Sequence, residues 1–241
     1  MATYVALVNE LLRRLNEVTL DTGGADFASV RNVQALAKDA INSSIRLILQ
    51  TGQEWPFLKT TYTQTLTAGT REYSFPSDYS SADWDTFYLK KLTSQGNSPM
   101  RLKAMSYEEY IQNVRASDDE GDTVNGDGPP VRVYQTLGES FGVTPTPNAA
   151  YEIEYTYWSY PSDMTLYDDV AVVPDRFKHV VIDGAMMFMM RFRSNEQSAA
   201  MHQNNFDDGI KSMRRVLMDD PLAVRSTVIA RSNTSSFTGG V

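Results

Sequence analysis

The alternation of apolar and polar positions is most regular between Phe27 and Leu58, where it predicts a long amphipathic helix and then an aromatic turn. Apolar residues recur there with helical spacing, which places them on one face: Val30, Val33, Leu36, Ala37, Ala40, Ile41, Ile45, Ile48 and Leu49. Polar residues fill the opposite face: Arg31, Asn32, Gln34, Lys38, Asp39, Asn42, Ser43 and Arg46. Gly52 is expected to end the helix, and Trp55-Pro56-Phe57 then turns the chain.

A shorter amphipathic helix is predicted before it, from about Thr3 to Val18. Its apolar stripe has the same spacing: Val5, Val8, Leu11, Leu12, Leu15 and Val18. The polar positions are expected outside that stripe: Asn9, Glu10, Arg13, Arg14 and Asn16. Because a polar linker with adjacent glycines joins the two helices at residues 21–26, we expect an antiparallel helix pair over residues 1–58.

Strand patterns dominate residues 59–165, which are rich in Thr and Tyr. The predicted strands are residues 59–67, 71–76, 84–91, 131–135, 140–143 and 151–160. The turn Ala68-Gly69-Thr70 is expected to join the first two as a hairpin, and the last three are expected to form a meander. One short helix is predicted at the S-x-x-E capping sequence Ser106–Glu109, with its end near Arg115.

Helical spacing returns at residues 166–220. Pro174 suits the first turn of a helix, and methionines on both sides of that helix indicate that it is buried all round: Met186, Met187, Met189 and Met190. Ser194 begins an S-x-x-Q cap, which predicts a second helix that ends near Met218. We expect these helices to pack on the N-terminal pair.

The predicted class is therefore α+β, with a helical body made from both ends of the chain and an inserted antiparallel β-region. Residues 221–241 contain Ser, Thr and Gly in abundance, and Arg225 and Arg231 are their only charges. This segment has too few apolar residues to pack as a domain of its own. We expect an extended, flexible tail that a partner would order.

Composition excludes several classes of function. The chain of 241 residues is 41% hydrophobic and 22% charged, as expected of a soluble globular protein, and it has no apolar run long enough to span a bilayer. Its net charge of -8 argues against tight binding to nucleic acid phosphates. The absence of cysteine excludes disulfides and thiolate metal sites, and it fits folding in a reducing cytosol. No metal or other cofactor is expected.

One short motif matches that of a serine hydrolase. Gly138-Glu139-Ser140-Phe141-Gly142 has the G-x-S-x-G form, and acids and histidines follow in the order that such enzymes use: Asp168, Asp169, His179 and His202. The chemistry needs a helix directly after the serine, whereas two prolines follow within seven residues. We therefore favour a hairpin turn, and a hydrolase that uses Ser140 remains the alternative.

An acidic loop, residues 118–130, resembles a calcium-binding loop only in part. Acids stand at its first, third and fifth positions, but the sixth is not glycine and the twelfth is Pro129 rather than a bidentate acid. We interpret the segment as a solvated loop.

An ordered set of segments carries a resemblance to a known family. The segments are Ala40–Asn42 leading into Trp55–Phe57, then Leu66–Pro76, Val143–Pro147 and Tyr155–Pro161, and finally Asp168-Asp169 before Val173–Phe177. In order and spacing this set resembles the head-to-tail adaptor, or connector, proteins of short-tailed bacteriophages, the group that includes tail tubular protein A-like proteins. The similarity covers about Thr3 to Met218, and none of its motifs is a catalytic signature.

The resemblance implies a structural virion protein and not an enzyme. Such proteins form a twelve-subunit ring below the portal protein, extend the DNA channel, seat the tail nozzle protein and often present a surface to tail fibres. Double-stranded DNA would pass through the lumen without specific binding, and no membrane is involved. The expected location is the head–tail junction of the virion, after synthesis in the host cytoplasm. Another tail-completion or stopper protein, or a fibre-attachment protein, is the remaining alternative.

Two sets of contact residues follow as expectations. Terminal extensions in this family commonly reach a neighbouring ring, so the portal-contact candidates lie in the tail: Leu222, Arg225, Arg231 and Phe237. The polar face of the long helix supplies the subunit-contact candidates: Arg31, Lys38, Asp39 and Arg46.

Overall fold

The structure, a computed structural model, describes residues 2–24, 27–51, 54–90, 100–115 and 127–218. The helices of this part are α1 (Tyr4–Arg14), α2 (Asn32–Leu49), α3 (Tyr107–Asn113), α4 (Lys178–Phe192) and α5 (Glu196–Leu217). Its strands are β1 (Lys59–Leu66), β2 (Glu72–Ser74), β3 (Tyr79–Ala82), β4 (Tyr88–Leu89), β5 (Met100–Arg101), β6 (Lys103–Met105), β7 (Arg132–Gln135), β8 (Ser140–Thr144) and β9 (Tyr151–Ser159).

Both ends of the chain build one hydrophobic core. Helices α1, α2, α4 and α5 contribute to it, together with Trp55, Leu58, Ala171 and Val173 from the segments next to them. Trp55 is fully buried, and its indole N–H donates to the carbonyl oxygen of Ile48 at 3.1 Å. Of the four methionines expected to be buried in α4, Met186 and Met189 belong to this core and Met187 is buried too, whereas Met190 is only partly buried against it.

The first helix is shorter than the sequence predicts. α1 ends at Arg14, Asn16 adopts a φ of 57°, and Val18 lies 78% exposed instead of continuing the apolar stripe. Asn9, expected on the polar face, is buried: its amide group accepts from the N–H of Leu20 at 2.7 Å and donates to the Leu20 carbonyl at 2.9 Å. The chain reverses after α1 and covers that face. The Asn9 side chain therefore supplies hydrogen-bond partners to the backbone N–H and carbonyl groups of Leu20.

The polar face of α2 is also partly covered. Asn42, expected in solvent, is buried, and its amide donates to the carbonyl oxygen of Met164 at 3.0 Å. Ser44 is fully buried against α4, where its hydroxyl donates to the carbonyl oxygen of Val181 at 2.8 Å. α2 ends at Leu49, and Gly52, the expected stop, lies outside the described residues.

Two sheets form the inserted region. In the first, β9 lies between β1 on one side and β3 and β4 on the other, with β5 beyond β4; in the second, the order is β2-β8-β7-β6. All these pairs are antiparallel except β6 with β7, which is parallel.

The predicted strand partners are partly wrong. β1 pairs with β9 and β2 pairs with β8, so the expected hairpin at Gly69 does not form. Instead, the turn carries the chain from one sheet to the other. β7 and β8 do form a hairpin, but β9 leaves it for the other sheet, which breaks the expected meander. The strand predicted at residues 84–91 is a 3₁₀ turn, Trp84–Thr86, followed by the two-residue β4.

Aromatic side chains fill the space between the sheets. Phe87 stacks on Tyr155 with ring centroids 4.6 Å apart, and Phe141 lies 5.0 Å from Phe75. The alternation predicted for β9 is confirmed, since Tyr151, Ile153, Tyr155 and Tyr157 are buried. The α+β class, with a helical body and an inserted β-region, is therefore confirmed, while the domain boundaries at residues 58, 165 and 220 stay predictions.

The helix caps follow local sequence closely. Ser106 accepts a hydrogen bond from the N–H of Glu109, as the capping sequence predicts, although α3 ends at Asn113 instead of Arg115. α5 is capped by Asn195 and not by Ser194, because the Asn195 side chain accepts from the N–H of Ser198 at 3.1 Å. α5 ends at Leu217, one residue before the predicted Met218.

Candidate interaction surface

The segment between β9 and α4, residues 160–173, runs along the start of α1 and is called the connector below. The first N–H groups of a helix have no partner inside it. Here the N–H of Tyr4 donates to the carbonyl oxygen of Asp169 at 2.8 Å, and that of Val5 donates to Tyr167 at 3.1 Å. The Ala171 N–H donates to the carbonyl oxygen of Ala2 at 3.1 Å. The connector therefore satisfies the N-terminus of α1.

Helix α2 holds the connector from its other side. Asn42 binds the carbonyl oxygen of Met164, as described above, and the guanidinium of Arg46 donates to both carboxylate oxygens of Asp163, through Nε at 2.7 Å and through Nη2. Both side chains of this ion pair are roughly half exposed, so solvent screening keeps its contribution to stability small. Its two-point geometry mainly fixes where the connector lies on α2.

Asp169 shapes the turn at the centre of the connector. Its carboxylate accepts from the N–H groups of Thr165 at 2.6 Å and Leu166 at 2.7 Å. These backbone hydrogen bonds hold the pKa of Asp169 below its ordinary value of 3.8. Hydrogen bonding from Arg46 lowers the pKa of Asp163 in the same way.

The pH dependence of stability follows from the direction of this shift. Because the pKa of Asp169 is lower in the folded than in the unfolded chain, its contribution is present above about pH 4 and is lost as the pH falls through the folded pKa. We expect Asp169→Asn to lower Tm at neutral pH. The difference in Tm between the variant and the native chain should become smaller as the pH falls into the acid range. Thermal unfolding measured from pH 7 to pH 3 tests this.

Asp168→Asn is the matched control, because it makes the same charge change at an exposed neighbouring carboxylate. A gap in Tm for Asp169→Asn that stays constant down to pH 3 would contradict the assigned role of the Asp169 carboxylate.

This fixed segment displays apolar side chains to solvent. Leu166 is 61% exposed, Val170 52%, Tyr160 39% and Tyr167 37%. We call these four side chains, together with Asp39 and Arg46 of α2, the connector surface. Arg46 binds Asp163 of the connector, and Asp39 lies two turns earlier on the same face of α2. Several large exposed apolar side chains within one short segment make a candidate surface for binding another protein.

Tyr4 lies below the connector surface. Its hydroxyl donates to the carbonyl oxygen of Lys38 at 2.9 Å. Burial raises the pKa of Tyr4, and the negative charges of Asp39, Asp163 and Asp169 raise it further. Tyr4 therefore stays neutral, and its buried side chain packs between α1 and α2.

The structure separates the four subunit-contact candidates. Asp39 and Arg46 belong to the connector surface. The Lys38 ammonium turns towards the loop before α2, where it donates to the carbonyl oxygen of Phe27 at 2.8 Å and lies 4.2 Å from the Phe27 ring centre. Arg31 is exposed at the start of α2. A subunit contact at any of the four stays a prediction.

The portal-contact candidates cannot be placed in the same way. Leu222, Arg225, Arg231 and Phe237 lie outside the described residues. The apolar residues of the connector were missed by sequence reasoning because they follow neither strand nor helix spacing. The available signal was the apolar content of a segment without periodicity, since seven of the ten residues from Met164 to Val173 are apolar.

The G-x-S-x-G motif is a hairpin turn, as favoured above. Ser140 begins β8, which continues as a strand to Thr144, so no helix stands behind the hydroxyl as a nucleophile elbow requires. The Ser140 hydroxyl pairs with that of Thr136. Gly138 adopts a φ of +114° at the turn, and a Cβ at Gly142 would meet the Tyr134 ring at 2.2 Å. Backbone conformation therefore explains the glycine at position 138, and close packing explains the glycine at position 142.

The acids and histidines of the hydrolase alternative belong to other parts of the molecule. Asp169 shapes the connector, and His202 of α5 contacts the carboxylate of Asp183 on α4, with Nδ1 and Oδ1 3.1 Å apart. In the described ranges, no group of three or more His, Asp and Glu residues is arranged to hold a metal ion. Most of the acidic loop at residues 118–130 falls outside those ranges.

Helices of the described part are also too short or too polar to cross a lipid bilayer.

The family follows from comparison with known proteins. The family model for the SU10 adaptor protein matches residues 2–226, and the chain therefore belongs to this family of phage head-to-tail adaptor proteins. A comparison with curated proteins finds no significant match. The chain is thus a bacteriophage structural protein and a virion component that interacts with other virion proteins.

Proposed function

We propose that copies of this chain form a ring, of twelve subunits in the resembling proteins, that joins the portal to the tail nozzle. The ring extends the channel through which the genome leaves the head, and it offers a platform for tail or fibre proteins. Family membership supports this proposal. The net charge of -8 also supports it, since a duplex slides past an acidic wall and does not adhere to it.

The observation that carries the proposal is the connector surface. A ring needs a contact that each subunit makes with its neighbour in the same geometry, and a rigid surface loses little conformational entropy on binding. Hydrogen bonds to α1 and the Arg46–Asp163 pair fix the connector, while Leu166 and Val170 remain more than half exposed. We assign the connector surface to the contact between neighbouring subunits.

Electron microscopy of native phage particles tests the proposed function directly. The expected image is a ring of this chain in contact with the portal on one side and the nozzle on the other. A position at the distal end of the tail, or only at the base of a fibre, would overturn the proposal in favour of a fibre-attachment protein. A ring that closes the channel without touching a nozzle would favour a stopper.

The variant Leu166→Asp tests the subunit contact. Because Leu166 is exposed in the single chain, we expect Tm to change little. Placing a carboxylate in an apolar interface should cost about 2 kcal/mol or more per contact, which weakens association roughly 30-fold. Analytical ultracentrifugation of the assembled species measures this loss.

Leu137→Asp is the control for that variant. Leu137 is 84% exposed at the β7–β8 turn, away from the connector, so the same substitution should leave assembly unchanged. Equal assembly of the two variants would show that the connector surface does not form the subunit contact.

A further inference from the structure

Strand β1 has a free edge of unusual length. It pairs with β9 over all its residues, from Lys59 opposite Trp158 to Leu66 opposite Tyr151. Within the described residues, no strand pairs with its other edge. The first five side chains of β1 are exposed, although they point alternately to both faces of the sheet. The other outermost strands, β3, β5, β2 and β6, have only two to four residues each.

β1 also lacks the features by which soluble proteins protect such an edge. Its sequence, Lys-Thr-Thr-Tyr-Thr-Gln-Thr-Leu, has one charge and no proline, and its register with β9 has no bulge. Charges, prolines, bulges and short length are the usual protection against pairing with another chain. Thr and Tyr instead favour strand structure. The edge is therefore suited to accept a further strand.

Most candidate partners for the free edge of β1 can be excluded. A folded sheet edge of a second copy does not fit, because the remaining outer strands of the described part are too short to cover β1. Pairing of β1 with β1 of a second copy would be twofold symmetric, and such a contact closes a dimer and not a ring. An extended segment is the occupant that matches the length of β1.

The C-terminal tail contains one segment with a strand pattern. Residues 223–231 read Ala-Val-Arg-Ser-Thr-Val-Ile-Ala-Arg, without glycine or proline. One parity holds Val224, Ser226, Val228 and Ala230, and the other holds Ala223, Arg225, Thr227, Ile229 and Arg231. Both valines therefore lie on one face of an extended strand and both arginines on the other. The segment is about as long as β1.

We propose that residues 223–231 of one copy add as a strand to the free edge of β1 in the neighbouring copy. This inference rests on the proposed ring, in which every subunit has such a neighbour. α5 ends at Leu217, and the five residues 218–222 can span roughly 17 Å when extended.

Charge and polarity fit this arrangement. Glu152 of β9 lies on the outer face of the sheet, one strand away from the free edge, whereas Glu154 on that face is paired with Lys90, whose ammonium also donates to the Thr63 hydroxyl at 2.9 Å. The arginines of the added strand would lie on that face, two strands or about 10 Å from Glu152. Val224 and Val228 would continue the inner face beside Tyr62, which contacts buried Tyr155. The tail carries two arginines and no acid, whereas the rest of the chain is acidic.

Disulfide cross-linking of full-length chains tests the inference, because the native sequence contains no cysteine. Copies with Thr63→Cys and one affinity tag are mixed with copies that carry Thr227→Cys and another tag, and are then oxidised. The expected product joins the two tags and disappears on reduction. Leu137→Cys replaces Thr63→Cys in the control, since Leu137 is 84% exposed but lies in the turn between β7 and β8 of the other sheet.

Two proline variants provide a second measurement. Val228→Pro in the Thr227→Cys chain should reduce cross-linking to the level of the control, because proline cannot donate to a strand ladder. Ser235→Pro, placed in the tail beyond the proposed strand, should leave it unchanged.

Each outcome bears on the inference separately from the proposed ring. Cross-linking of Thr63→Cys no greater than that of Leu137→Cys overturns the inference. Cross-linking of the tail to portal protein in particles, in place of Thr63, also overturns it. If particles nevertheless show the ring at the portal, the proposed function stands. If they show no such ring, the proposed function fails whatever the cross-linking result.

Discussion

Replacing Trp55 by alanine is expected to lower the free energy of unfolding by about 3–5 kcal/mol, as is usual for a fully buried aromatic side chain. Trp55 has no exposed surface and stacks on Phe57, with ring centroids 5.7 Å apart. It lies where the helical core passes to β1, and its N–H satisfies the Ile48 carbonyl near the end of α2. Its loss leaves a cavity in the helical core, while the Ile48 carbonyl keeps the hydrogen bond that it accepts from the Thr51 hydroxyl at 2.8 Å. Urea unfolding followed by circular dichroism measures the change.

Two variants separate these contributions. Trp55→Phe keeps an aromatic ring and removes only one of the donors to the Ile48 carbonyl, so it should cost less than the alanine variant, about 1 kcal/mol. Trp84→Ala is the matched control, because Trp84 is only partly buried at the edge of the β-region core. A cost for Trp55→Ala no greater than that for Trp84→Ala would show that Trp55 does not anchor the helical core.

The second large effect is expected at Gly184, where α4 packs closely against α2 and α5. A Cβ at this position would lie 2.2 Å from the hydroxyl oxygen of Ser44 and 2.9 Å from the ring of Phe206. The Ser44 hydroxyl donates to the carbonyl oxygen of Val181, so moving it breaks a buried hydrogen bond. We expect Gly184→Val to destabilise the chain by about 3 kcal/mol through overpacking. Thermal and urea unfolding measure it.

Helix propensity predicts the opposite sign for a milder change at the same site. Alanine in a helix interior is favoured over glycine by about 1 kcal/mol, yet we expect Gly184→Ala to lose stability because the contacts outweigh this gain. Adding Ser44→Ala should recover part of the loss, since it removes the nearest atom. Ala200→Val on the exposed face of α5 is the control and should be nearly neutral. A stabilised Gly184→Ala variant would contradict the close approach.

Much of the helical structure could be predicted from the sequence because helices depend on local spacing. The stripes of α1 and α2, the cap at Ser106 and the buried methionines of α4 were all indicated by residues within a few turns. Errors arose where a distant segment covers a polar side chain. Asn9 and Asn42 look like surface residues, but backbone carbonyls of Leu20 and Met164 bury and satisfy them.

The candidate surface was only half predictable, for the same reason. The polar face of α2 pointed to Asp39 and Arg46, and the charges there could be read directly from helical spacing. Leu166 and Tyr167 carry no periodic signal. Only the folded chain shows that Asp169 and the start of α1 fix the connector while its apolar side chains stay outside.

By itself, the sequence determined the α+β class, the order of elements and the inward face of β9, because each depends on spacing along a few residues. Only the tertiary structure decided which strands meet. The turn at Gly69 has the composition of a hairpin, yet its N–H donates to the carbonyl oxygen of Pro147, and β1 and β2 enter different sheets. Strand partners are chosen by burial of side chains far apart in sequence, such as Leu66 opposite Tyr151, and no local pattern records that choice.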